Sequence, residues 1–443
     1  IGVTGVQTCA LPIYQSAADQ WQAKIAQMLQ SIESLYSPYW KRRAELLVAG
    51  SVRAAPGRVD LAMLVRAAES AFRGGRPDDA LADYDRAAEL AAAQGLSQRA
   101  FELRYIAAAI EHQRNQHRSA MDRYRQLALD YPDNPQAAQA HLLAIHHAAQ
   151  IAKQDAPMVD RFASLLEEHI KLWPQAASAD DARRLMAHLH QLQKDWPAAI
   201  ALLKQVRRDA PDYKAVLQAI EGCYRSWAAE GRPAGRSRAE LMREAAGWFQ
   251  QVAAAQSDLE DKKLGPVEQF AVLAAARGLL DESLADYQGA RELLSAALAA
   301  SPSAPADWTT AARTLLVLAQ AGCGDIRQAS NTLGGLDGAQ GEQLLATIEG
   351  LSRLTARAAP TLRKQLAEVQ LQALDKLLAS GTQLRRQERL RTERLRAQAL
   401  ADAGRTDEAL RAFRALLAAD ADDLQLQQAM AETLLSRGDA DSL

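Results

Sequence analysis

Apolar residues in this chain recur three and four positions apart, and runs that alternate apolar with polar are missing. From Ala17 to about Ala49, Trp21, Ile25, Met28, Leu29, Ile32 and Leu35 share one helical face. No period-two stretch rich in Val, Ile and Thr occurs, so the pattern predicts helices and essentially no sheet. Breaks fall at Ala54–Gly57, Gly231–Ser237, Ser257–Pro266 and Gly334–Gly341. Ser237 and Glu240 form a capping box that opens a helix, and Pro360 starts a long helix to about Leu378 that Gly381 ends.

A longer period lies on top of the helical one. Gly404 and Gly438 are 34 residues apart, and Ala397 and Leu400 are matched by Ala431 and Leu434 at the same interval. A small residue, a large one four later and an apolar one seven later recur as Ala409, Phe413, Leu416; Ala80, Tyr84, Ala87; and Ala120, Tyr124, Leu127. Ala199, Leu203, Val206, then Ala290, Leu294, Ala297 and a weaker Ala329, Leu333, Leu336 repeat the phrase. The small residue lets two helices touch, the large one fills the gap to the next pair, and a following proline such as Pro132, Pro211 or Pro302 stops the second helix. The interval is loose: Ala80 and Ala120 are 40 apart, and Pro132, Pro174 and Pro211 are 42 and 37 apart.

The run Leu395–Leu417 resembles the tetratricopeptide repeat (TPR) family, with Ala397, Ala409, Phe413 and Leu416 at its small, small, aromatic and apolar positions. The resemblance implies an all-α superhelical solenoid of antiparallel helix hairpins whose first helices line a concave groove for a peptide or partner helix. Carried onto the best-aligned copies, it places Tyr105, Ala109 and His112, then Arg184 and His188, then Arg394 and Gln398 on that inner face. Members that clamp a chaperone tail hold its carboxylate with lysine and asparagine. Here Arg394, Gln398 and Gln428 stand instead, which argues against that ligand.

Composition sharpens this picture. The 443 residues are 48% hydrophobic but only 5% aromatic, so close helix packing through alanine replaces a large aromatic core. A net charge of −2 provides no push toward nucleic acid or anionic membrane. Residues 3–13 resemble translated sequencing adapter and read as a non-native tail, so a targeting segment or membrane anchor would have to lie outside this chain, and the compartment stays open between cytoplasm and periplasm.

Candidate chemistry is sparse. Cys223 and Cys323 lie in helical contexts and read as buried small apolar residues; Cys9 falls in the tail. All eight histidines lie between His112 and His190, but His146/His147 and His188/His190 do not share a helix face, so polar groove or surface positions are expected and no metal. The glycines of 334–341 lack a preceding strand and a Gly-Lys-Ser/Thr, and read as a loop. Six arginines between 383 and 396 read as a solvated helix face, with no aromatic interleaving for nucleic acid.

The expected organisation is a tail at 1–13, opening helices at 14–57, TPR-like hairpins at 58–230, degenerate hairpins at 231–341 and C-terminal TPR hairpins at 342–443, the last incomplete. The expected function is a scaffold or adaptor that binds protein or peptide, with no catalysis, cofactor, nucleic acid or small-molecule substrate. Two alternatives are a regulatory or sensor segment of a larger enzyme or signalling protein, and a bacterial cell-envelope scaffold. The latter is suggested by the 124–135 stretch that ends in Tyr131-Pro-Asp-Asn-Pro135.

Overall fold

The computed structural model describes residues 60–230, 235–254, 264–336, 341–380, 384–420 and 422–437, with parts of 24–48. The breaks expected at 54–57 and 381, most of those at 231–237 and 257–266, half of that at 334–341, the tail at 1–13 and residues 438–443 of the last partial hairpin lie outside the described residues. Among the described residues there is no strand, and no helix is long and apolar enough to cross a membrane.

The chain divides into two compact units, Ile1–Leu189 and His190–Leu443. The first carries α1 (Leu61–Arg73), α2 (Pro77–Ala93), α3 (Ser97–Gln113), α4 (His117–Asp130), α5 (Ala137–Ala152), α6 (Met158–Leu172) and most of α7 (Ala177–Leu192). The second carries α8 (Trp196–Leu203), α9 (Tyr213–Ala229), α10 (Arg238–Ala254), α11 (Pro266–Leu279), α12 (Tyr287–Ala300), α13 (Ala306–Gly322) and α14 (Ile326–Gly334). It continues with α15 (Gly341–Arg357), α16 (Pro360–Ala379), α17 (Arg386–Asp402), α18 (Thr406–Ala419) and α19 (Leu424–Arg437).

Each unit is an all-α solenoid in which successive helices pair and the pairs stack. In the second unit α9 touches α11, α11 touches α13, α13 touches α15 and α15 touches α17, alongside the contacts between neighbours. In the first unit the stacking is tied by charge: Arg123 on α4 grips Asp85 on α2 through two bonds of 2.8 and 2.9 Å. The repeating phrase explains the packing. Ala80, Ala120, Ala199, Ala290, Ala329 and Ala409 all have 0% exposure, and their large partners Tyr84, Tyr124, Leu203, Leu294, Leu333 and Phe413 are buried beside them. The single methyl group at the small position lets backbones approach, and the +4 residue fills the space beside it.

Turns between paired helices reuse one hydrogen-bond pattern. Arg405 N–H donates to the Leu400 carbonyl at 2.9 Å across Gly404, whose φ of 78° is the left-handed conformation this cap requires. The same turn is built across Asn115 and Lys194, at φ of 57° and 61°. At the start of α10 the Ser237–Glu240 capping box forms, with Ser237 N–H donating to the Glu240 carboxylate at 2.7 Å and Glu240 N–H to Ser237 Oγ at 3.2 Å. Cys223 is buried as expected, whereas Cys323 caps α13 and is half-buried.

Candidate functional site

The first unit holds two consecutive hairpins, α3/α4 and α5/α6, built on one register with different side chains. Leu127 stands five residues before Pro132, and His169 five before Pro174; Tyr131 and Trp173 immediately precede those prolines. Phe101 on α3 packs edge-to-face on Tyr131 at 5.9 Å. At the matching place on α5, His141 lies 5.2 Å from Trp173 and 5.3 Å from His169. An aromatic and aliphatic core is thus replaced by imidazoles.

His141 and His169 have 0% exposure, so each ring nitrogen needs a partner. His141 Nε2 lies 2.9 Å from Glu168 Oε2, the two Nδ1 atoms are 3.3 Å apart, and His169 Nε2 lies 3.0 Å from Ser178 Oγ. Arg125 on α4 donates two bonds to Glu168, at 2.7 and 2.8 Å. That bond holds the Glu168 carboxyl down at about 2, so it is an ionised acceptor. With neutral rings the direction of the chain follows: Ser178 O–H donates to His169 Nε2, His169 Nδ1–H to His141 Nδ1, and His141 Nε2–H to Glu168. Burial pushes His169 down to about 4 and lowers His141 as well.

A second imidazole cluster spans α3, α4 and α5. His147, with 0% exposure, lies 3.0 Å from His112 and 2.9 Å from His117, and stacks 6.0 Å from the Tyr124 ring. Burial first, then His112, His117 and His146, push His147 down to about 4, while burial raises Tyr124 to about 12. His141, His147 and His169 are therefore core residues, which corrects the expectation of groove or surface histidines; hydrogen-bonding partners on neighbouring helices make that burial tolerable. Among the described residues no group of three or more His, Cys, Asp or Glu side chains is arranged to hold a metal ion.

An open groove of about 560 Å³ runs between α5 and α7, lined among others by Leu142, Leu143, His146, Asp181, Arg184 and Leu185. The expected inner-face residues fall at different places. Arg184 lines this groove, paired with Asp181, and His188 is exposed one turn further along α7. Tyr105 is half-buried, with its ring 6.3 Å from Phe101 and 5.5 Å from Tyr124, so much of its surface is engaged in packing; Ala109 is also half-buried. His112 is exposed at its edge and hydrogen-bonded to His147. In the second unit Arg394 pairs with Asp423 at 2.5 Å, Gln398 donates to Asp402 at 3.3 Å, and Gln428 donates to Glu432 at 2.8 Å. Leu142, Leu143, His146 and Leu185 were missed because the repeat phrase marks helix-to-helix contacts, not the face left over. His169 was missed because Phe162 occupies the small position of that copy. The Trp173-Pro174 pair, matching Tyr131-Pro132, is the signal that finds it.

No protein-family model matches the chain, and no curated protein matches it. Solved structures that resemble it include one of Naa15/Naa10 bound to HypK-THB, at 12% identity and a TM-score of 0.35, covering 97% of this chain and 64% of that one. The chain therefore spans less than two thirds of that protein's length. An APC/C Cut9–Hcn1 hetero-tetramer is 12% identical with a TM-score of 0.26, covering 95% of this chain and 92% of that one. The TPR domain of P58(IPK) is 14% identical with a TM-score of 0.21, covering 94% and 99%.

Proposed function

We propose that the protein is an interaction scaffold that takes a peptide or a partner helix along the groove between α5 and α7, with no catalysis of its own. The observation that carries this is an open furrow with an aliphatic lining. Leu185 remains 40% exposed there beside Leu142 and Leu143, and the Asp181–Arg184 pair lines it too. Covering such surface is worth about 25 cal/mol per Å² of apolar area removed from water. The charged pair provides orientation. His188, one turn along α7, and His112 and Tyr105 on α3 extend the proposed inner face in the first unit; Arg394 and Gln398 are its candidates in the second.

A photo-crosslinking residue at Leu143 or Leu185 tests the reading, with the same probe at exposed Glu89 on α2 as the control. One partner sequence, mapped by mass spectrometry, is expected at both groove positions and not at Glu89. Leu185→Glu combined with Arg184→Glu is expected to abolish that crosslink, and Arg394→Glu reports whether the second unit contributes. Capture that survives all three substitutions overturns the proposal.

A further inference from the structure

We propose that the Glu168–His141–His169–Ser178 chain is an acid-released lock that holds α7 against α5 and α6. The buried face of α6 is Met158, Phe162, Leu165, Leu166 and His169, with no small residue to let α7 approach closely. The approach is bridged by side chains instead: His169 on α6 reaches Ser178 in the first turn of α7 and His141 on α5. The two helices joined through this relay, α5 and α7, are the walls of the groove.

The chain has a limited proton capacity. One added proton can be absorbed by reversing the donors, so that His141 donates to His169 and His169 Nε2–H donates to Ser178. That leaves an imidazolium in a site with no exposure. A second proton would place hydrogen on both Nδ1 atoms at a separation of 3.3 Å, and the link must break. The surrounding charges are mixed: Arg125 on α4 and Arg161 on α6 oppose charging of His141, whereas Glu168 favours it. Arg183 on α7 opposes charging of His169, and Asp181 favours it. Burial is the largest influence on both rings, so they stay neutral at pH 7 and the lock is closed there.

Any effect on partner capture rests on the groove reading above, but the lock itself is tested on the free chain. Amide hydrogen exchange across 177–189, corrected for intrinsic pH dependence, is followed from pH 7.5 to 4 together with Trp173 fluorescence, isolated by difference against Trp173→Phe. Helicity is monitored by circular dichroism. Protection of α7 is expected to fall by about tenfold or more toward pH 4 while helicity is retained. In the double variant His141→Phe with His169→Leu, which copies Phe101 and Leu127 of the sister hairpin, protection is expected to fall much less than in the wild type, the remaining acid response being that of His147. If that variant does not fold, Ser178→Ala serves instead, and at pH 7.5 it is expected to show the weakened protection of the acid form. Unchanged protection of the wild type down to pH 4, an acid response in the double variant as large as that of the wild type, or full protection in Ser178→Ala overturns the lock. Failure of the lock leaves groove crosslinking at pH 7.5 untouched, and failure of the groove leaves this titration untouched.

Discussion

Hairpin α3/α4 fills its interior with Phe101, Leu127 and Tyr131, whereas hairpin α5/α6, next along the chain, fills the corresponding places with His141, His169 and Trp173. Phe101 and Leu127 in the first and His141 and His169 in the second are shut away from water, with Tyr131 and Trp173 half-buried at the margin, yet only the second needs a hydrogen-bond partner for every ring nitrogen. It finds them in Glu168 of its own second helix, which Arg125 of the preceding hairpin holds in turn, and in Ser178 of the helix that follows. An apolar hairpin core packs against whatever has the right shape. An imidazole core specifies which atoms its neighbours must present, and its stability depends on pH.

The comparison is broken most strongly from the apolar side. Phe101→Ala removes a ring with 0% exposure and is expected to cost about 3–5 kcal/mol, read as a lower urea midpoint for the first unit. His141→Phe with His169→Leu, assayed in the same way at pH 7, is expected to be neutral or mildly stabilising because a satisfied polar cluster is exchanged for apolar packing of similar shape. A loss comparable to that of Phe101→Ala would show that the two hairpins are not built on one register.

Acid sharpens the contrast next. His147 and His169 have folded-state values of about 4, below the ordinary histidine value of 6.5, so the unfolded chain binds more protons between those limits. Their contribution is complete above pH 6.5 and is lost as the pH falls toward 4, by about 3 kcal/mol for each ring. Glu168, held at about 2, stays ionised through this window, and its own contribution fades only below the usual carboxylate range. Urea midpoints of the first unit at pH 7 and 4.5 measure the loss, and the second unit, in which histidine appears only at His190, is expected to shift less.

The smallest effects concern the turns. Gly404→Ala forces a Cβ into the left-handed region and is expected to cost about 1 kcal/mol, although nothing lies within 4 Å of that Cβ. Lys194→Gly relieves the same strain in a turn of the same pattern and is expected to gain about 0.5–1 kcal/mol. Thermal midpoints of the two variants, moving in opposite directions, check this.

Helices, turns and the small-then-large phrase were legible in sequence because each depends on residues within one hairpin. The long helix from Pro360 was expected to reach about Leu378 and reaches Ala379, and the Ser237 capping box forms. The groove and the imidazole chain were not legible for two reasons. A phrase search rejects Phe162 and His169 as a repeat copy, and a helical wheel cannot show that His141 and His147, six residues apart on α5, each meet a histidine from another helix.

By itself the sequence determined that this chain folds as paired helices. Alanine spacing, left-handed turn residues and stop prolines act over a few residues and require no knowledge of the rest. Only the tertiary structure decided which polar side chains lie inside and which apolar ones stay out. The fate of a histidine depends on partners 28 to 35 residues away, as with His141 and His169 or His112 and His147, and those distances close only when one hairpin stacks on the next.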